Sequence, residues 1–176
     1  MRTIRIGTVA CALAIAAAFI SPQLEAQPVA PQAGIQAALA KDAGTLSDKF
    51  TGLARVMAGK YDWKPSPVVR SVGDVFNLIV MENGMLVGTL TGAQSGRPAQ
   101  VTDPAQMQEA LRTSYANLQK AIAELSEKDL AAPVKLFGMD MTKQGAITFL
   151  LSDQHEHLGQ SIAYARSNGI VPPWSK

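Results

Sequence analysis

Residues 150–160 read Leu150-Leu151-Ser152-Asp153-Gln154-His155-Glu156-His157-Leu158-Gly159-Gln160 and contain both histidines of the chain. Asp153 and His157 are four positions apart, so in a helix their Cβ atoms lie roughly 5–6 Å apart on one face. That spacing suits two ligands of one metal ion, or a carboxylate that orients an imidazole. His155 points elsewhere, because it lies about 200° around the helix from both at ~100° per residue.

This stretch falls in the last of four segments in which apolar residues recur every three or four positions. Three of the segments begin with capping signals: Ser71 followed by Asp74, Asp103 followed by Pro104, and Thr142. The predicted helices are 35–58, 72–90, 103–125 and 142–167, the last two counted from their capping residues.

Four amphipathic helices predict an all-α fold, a four-helix bundle with a long crossover loop at residues 91–102. Residues 128–140 are predicted as a second loop, and no segment alternates as a strand does. In such bundles, sites are built from side chains that project inward from facing helices. A site that uses Asp153 and His157 therefore needs a partner from another helix.

Residues 1–26 predict a signal peptide, because two arginines precede a continuous run of small and apolar residues. We expect cleavage after Ala26, which makes the protein periplasmic or secreted. A flexible leader is expected at residues 27–34 and a single domain at residues 35–176. The apolar run has only about 15 residues, which is short for a membrane-spanning helix, so no membrane contact is expected once the signal is removed.

The chain carries 16 Lys and Arg against 14 Asp and Glu, a formal charge of +2. It has no basic run or basic stripe with interleaved aromatics, so binding to nucleic acid is not expected. The single cysteine, Cys11, lies in the predicted signal peptide. The exported domain can therefore form no disulfide and must depend on packing for its stability.

Four stretches together resemble one family. Residues 155–175 read His-Glu-His-Leu-Gly-Gln-Ser-Ile-Ala-Tyr-Ala-Arg-Ser-Asn-Gly-Ile-Val-Pro-Pro-Trp-Ser; the others are Tyr-Asp-Trp-Lys-Pro at 61–65, Val-Arg-Ser-Val-Gly-Asp-Val-Phe at 69–76 and Pro-Val-Lys-Leu-Phe-Gly at 133–138. They resemble secreted proteins of the DinB superfamily, and the resemblance covers most of the exported chain. It implies a four-helix bundle with a divalent metal held by three histidines, one on the second helix and two on the fourth in a His-x-x-x-His arrangement. Some relatives are thiol-dependent transferases or isomerases, some look like hydrolases, and many have no known activity.

The sequence departs from this family pattern at two of the three ligand positions. The resemblance places the second-helix histidine at Leu78, with Asn77 as the neighbouring alternative, and the first fourth-helix histidine at Asp153. Only His157 matches a family histidine. The resemblance therefore supports the fold more strongly than it supports a metal centre.

A rebuilt metal centre is one hypothesis for these residues. Carboxylate and imidazole both bind zinc, so Asp153 can take the place of a histidine. Glu82 lies one helical turn after Leu78, which suggests a Glu82, Asp153 and His157 site for a divalent metal, zinc or nickel. Two alternatives stay open: a buried carboxylate–imidazole pair joined by hydrogen bonding, or an acid/base pair that works without metal.

Two classes of function follow. Because two family histidines are replaced, the sequence favours an exported DinB-like protein with a degenerate metal centre that is non-catalytic or binds a ligand. The alternative is a metal-dependent transferase or hydrolase that acts on an unidentified small molecule through Glu82, Asp153 and His157. Convergence of these three side chains beside a cavity would favour the enzyme, whereas Leu78 packed over His157 would disfavour it. Since some relatives dimerise, the resemblance also allows a homodimer.

Overall fold

The structure is a computed structural model that describes residues 34–94, 96 and 98–175. The predicted signal peptide, and all but the last residue of the predicted leader, lie outside this part of the chain. The described elements, in chain order, are α1 Ile35–Val56, α2 Val72–Thr91, α3 Pro104–Ala123, α4 Glu127–Leu130, β1 Pro133–Leu136, β2 Met139–Thr142 and α5 Lys143–Ser167.

Each predicted helix corresponds to one of the four long helices, α1, α2, α3 and α5, with ends shifted by one or two residues. The predicted caps explain why these ends are well defined. The Ser71 hydroxyl accepts from the Asp74 N–H, and the Asp74 carboxylate accepts from the Ser71 N–H. The Asp103 carboxylate accepts from the first two free N–H groups of α3. These bonds satisfy donors that a helix start leaves without partners.

The four long helices surround one apolar core. α1 and α2 each pack against both α3 and α5. At the centre, Phe50 of α1 stacks on Tyr115 of α3 at 6.3 Å between ring centroids and meets Phe76 of α2 edge-on at 6.4 Å. All three side chains are fully buried. No helix in the described part of the chain is long and apolar enough to cross a membrane.

The segment predicted as the 128–140 loop is instead the one-turn helix α4 followed by a β-hairpin. β1 and β2 pair antiparallel, with Pro133 opposite Thr142 and Leu136 opposite Met139. The prediction of a fold without strands was wrong for this segment. The described chain is mostly helical, with five helices rather than four.

Short strands and an unusual turn explain why the hairpin was missed. Each strand has only four residues, and only Leu136 is fully buried, so the alternation of apolar and polar residues is at the lower limit of what predicts a strand. The turn residues Phe137 and Gly138 both have positive φ, 51° and 79°. Turns of this kind usually carry Asn or Asp before the Gly, because a bulky side chain disfavours positive φ. Phe in that position gave no hairpin signal.

Candidate metal centre

α2 and α5 run antiparallel side by side, which brings the middle of one against the middle of the other. Three contacts show the antiparallel arrangement, one near each end of the helix pair and one at its centre. These are the Lys143 Nζ with the Leu90 carbonyl at 2.6 Å, the Gln154 Nε2 with the Asn83 Oδ1 at 2.8 Å, and the Tyr164 hydroxyl with the Arg70 carbonyl at 3.3 Å. Glu82 of α2 therefore lies beside Asp153 and His157 of α5.

The structure brings together all three residues of the hypothesised site. One ligand atom from each of Glu82, Asp153 and His157 lies within 4.8 Å of the other two. His157 Nε2 lies 3.6 Å from Asp153 Oδ2, consistent with their four-residue spacing on one helix face. Two ligands at about 2.1 Å from one tetrahedral ion lie roughly 3.4 Å apart. Small side-chain adjustments would therefore suffice to place all three around an ion.

Glu82 is the most buried member of the group, with 5% of its surface exposed. Its Oε2 has no hydrogen-bond partner within the described residues. Burial, followed by the negative charge of Asp153, raises the pKa of Glu82 to about 8, although the Arg70 guanidinium acts in the opposite direction. A buried carboxylate oxygen without a donor is costly unless a proton or a cation reaches it. This orphaned oxygen fits a metal ligand.

A buried hydrogen-bond chain runs beside the centre and joins three helices. The Tyr115 hydroxyl donates to Gln154 Oε1 at 2.9 Å, Gln154 Nε2 donates to Asn83 Oδ1 at 2.8 Å, and Asn83 Nδ2 donates to the Ser114 hydroxyl at 3.0 Å. Burial raises the pKa of Tyr115 well above its ordinary value, so its hydroxyl stays a donor. No pattern in the sequence predicted this series of hydrogen bonds. The available signal was that Asn83 and Gln154 directly follow Glu82 and Asp153.

His155 points away from Asp153 and His157, as its helical position predicts. His155 lies on the surface, where its Nε2 is 3.1 Å from both carboxylate oxygens of Asp42 on α1. This contact links α5 to α1 and leaves His155 away from the candidate ligands. His157 is therefore the histidine of α5 that faces the carboxylates.

Two cavities lie along the Arg70 side of the centre. One, of about 270 Å³, is lined by Arg70 and by residues of α2 and the crossover loop: Asp74, Asn77, Leu78, Met81, Pro98, Ala99 and Gln100. Arg70 and Asp74 also line a second cavity of about 600 Å³, together with Gln160 and residues 67–69. Gln160 Oε1 lies 3.0 Å from His157 Nδ1, so the second cavity borders a residue that contacts His157. Neither of these cavities is lined by Glu82, Asp153 or His157; the space for a small molecule borders Arg70 and Gln160 instead.

Comparison with known proteins identifies the family. The family model described as "DinB superfamily" matches residues 47–161, more than half of the chain. The chain belongs to the DinB superfamily. Among solved structures, it is similar to a DinB-like protein from Bacillus cereus, with a TM-score of 0.68 and 17% identity over 80% of this chain and 97% of that one. It is also similar to the DinB-like protein YjoA from Bacillus subtilis, with a TM-score of 0.64 and 15% identity over 75% of this chain and 92% of that one. No curated protein sequence matches it.

Leu78 and Asn77 of α2 stand at and beside the position where the resemblance to the DinB superfamily implies a histidine. Leu78 is half-buried and lines the 270 Å³ cavity. The neighbouring Asn77 is already engaged, because its amide donates to the Gly73 and Val101 carbonyls and its Oδ1 accepts from the Val101 N–H. Leu78 has no ligand atom and both polar ends of the Asn77 amide are bonded, so the candidate ligand that α2 offers is Glu82, one turn further along. Asn77 instead ties the crossover loop to α2.

Proposed function

We propose that this DinB-superfamily protein holds one divalent metal ion, zinc or nickel, through Glu82, Asp153 and His157. The observation that carries the proposal is the convergence of three ligand atoms within 4.8 Å of one another. The orphaned Oε2 of the buried Glu82 supports it, since a cation would satisfy that oxygen. Zinc takes oxygen ligands from carboxylates and nitrogen ligands from histidines, so the donor set is chemically suitable.

The number of ligands bears on the class of function. Three protein ligands leave a coordination position for water or substrate, which is typical of catalytic rather than structural zinc sites. When bound, such an ion supplies a Lewis acid at that position. Arg70 places a positive charge on the rim of both neighbouring cavities, where it can orient a small molecule. The convergence therefore favours a metal-dependent transferase or hydrolase over the non-catalytic protein that the sequence favoured.

Metal content after dialysis tests the proposal. The chain from residue 27 onward, without a histidine tag, is offered zinc, nickel and manganese separately, and bound metal is measured by mass spectrometry. We expect close to one zinc or nickel per chain, and loss of that metal in Asp153→Ala/His157→Ala. His155→Ala is the matched control, because it removes the other histidine of α5 and should keep the metal.

Two results would count against the metal centre. Wild-type protein without bound metal, or equal metal in the wild type and the double variant, would leave a helical-bundle protein that binds a ligand or a second copy without catalysis. In that case the search should turn from transfer and hydrolysis reactions to small-molecule ligands and to the homodimer.

We also propose that the protein is exported to the periplasm or secreted. The support is the sequence of residues 1–26, in which positive charge precedes a short apolar run. N-terminal sequencing of the protein recovered from the producing bacterium should begin at Gln27. Recovery from the cytoplasm with Met1 in place would overturn this proposal.

A further inference from the structure

A chain of hydrogen bonds leads from His157 away from the carboxylates. His157 Nδ1 lies 3.0 Å from Gln160 Oε1, Gln160 Nε2 donates to the Tyr164 hydroxyl at 2.8 Å, and that hydroxyl donates to the Arg70 carbonyl at 3.3 Å. Three of its members lie on one face of α5, at spacings of three and four residues. The last is a backbone carbonyl just before α2.

The backbone carbonyl at the end of this chain sets the direction of every bond in it. A carbonyl oxygen can only accept, so the Tyr164 hydroxyl donates its one proton to the Arg70 carbonyl. The hydroxyl oxygen then accepts from the Gln160 amide nitrogen, which turns Gln160 Oε1 towards His157. Since an amide oxygen also only accepts, His157 Nδ1 must carry a proton.

Packing holds this series of hydrogen bonds in place. Tyr164 is 7% exposed, and its ring meets Trp63 edge-on at 5.3 Å between centroids, so the position of its hydroxyl is fixed by the ring. The Arg70 carbonyl is equally restrained, because Ser71 begins the capping box of α2. The Tyr164 hydroxyl and the Arg70 carbonyl, which together orient Gln160, are therefore positioned by packing rather than by His157.

We infer that Gln160 and Tyr164 are positioning residues that hold His157 with its proton on Nδ1 and turn the Nε2 lone pair towards Asp153 and Glu82. Nε2 then joins two carboxylates as a third acceptor, with Asp153 Oδ2 at 3.6 Å. Three acceptors facing one another need a shared cation or proton. The inference deepens the proposed metal centre, since a histidine ligand of a metal commonly has its other ring nitrogen fixed in this way.

The test separates the ring state from metal binding. In a His155→Ala background, His157 is the single histidine of the chain, so its ¹⁵N signals are assigned directly. Spectra of the metal-free protein, at a pH where the ring is neutral, should show the Nδ1–H form. Tyr164→Phe keeps the ring that packs on Trp63 but removes the hydroxyl that orients Gln160. We expect the Nε2–H form to gain population and the Kd for zinc to rise about 10-fold.

Two further variants control for structural effects. Tyr61→Phe makes the same substitution at another buried tyrosine, whose hydroxyl donates to the Ala54 carbonyl at 3.0 Å, and should leave both readings unchanged. Gln160 is half-buried, and Gln160→Leu removes the acceptor for His157 Nδ1. This variant should shift the ring form of His157 and the Kd for zinc in the same direction as Tyr164→Phe.

The inference is overturned if wild-type His157 carries its proton on Nε2, or if neither variant changes the ring form. The metal proposal can fail separately. A wild-type protein that shows the Nδ1–H form but binds no zinc would retain the positioning role and reject the metal centre.

Discussion

Metal-free wild-type protein should lose stability as the pH rises from about 4.5 to about 8, and Glu82→Gln should abolish most of that loss. In the folded protein the pKa of Glu82 is raised to about 8 from an ordinary value of 4.5, mainly by burial. Between these values the folded state keeps the proton and the unfolded state has lost it, so rising pH favours unfolding. At about 1.4 kcal/mol for each pH unit, the wild type should lose roughly 4 kcal/mol across this range.

Urea unfolding at a series of pH values, with a chelator present, measures this difference. Gln cannot ionise, so Glu82→Gln should show a flatter dependence than the wild type over the same range. Glu156→Gln, an exposed substitution of the same kind on α5, should keep the wild-type slope. Equal slopes for the wild type and Glu82→Gln would mean that Glu82 is ionised in the folded protein at neutral pH.

Added zinc should act most strongly at the upper end of this pH range. A bound cation stabilises the ionised carboxylate and binds the folded state only, so it opposes the loss of stability there. If zinc stabilised the wild type equally at pH 5 and pH 8, Glu82 would not be among its ligands.

The helices were predictable because the signals that define them are local. The Ser71–Asp74 and Asp103 caps act over three residues, and the structure contains both. The spacing that puts Asp153 and His157 on one face is equally local. The meeting of Glu82 with that face depends on the antiparallel packing of α2 and α5. Periodicity does not give that packing; the suggestion of Glu82 came from its place one turn after Leu78.

Contacts between distant segments account for what was missed. Asn83 and Gln154 are polar residues inside a helical pattern, and nothing in either helix alone says that each is the partner of the other. The hairpin was missed for a related reason. Apolar and polar residues alternate over only four positions in each strand, and contacts of β1 with α2 and α5 hold the hairpin in place.

Gln154→Leu should lower the free energy of unfolding by about 3 kcal/mol. Gln154 is fully buried and satisfies two groups, the Tyr115 hydroxyl and Asn83 Oδ1. Leu has a similar size but leaves both without a partner, at about 1–3 kcal/mol each. The added apolar burial offsets about 1 kcal/mol of that loss. Urea unfolding measures the change, and Gln144→Leu, exposed near the start of the same helix, should stay within about 0.5 kcal/mol of the wild type.

A triple variant separates unsatisfied polar groups from a packing defect. Adding Tyr115→Phe and Asn83→Leu to Gln154→Leu removes the groups left without partners, so most of the lost stability should return if hydrogen bonding is the cause. Metal binding should not return with it. Asn83 and Gln154 adjoin Glu82 and Asp153, and their bond fixes how α2 and α5 are rotated against each other. If the triple variant is stable and still binds zinc as tightly as the wild type, the polar chain serves stability alone and the helix faces are set by apolar packing.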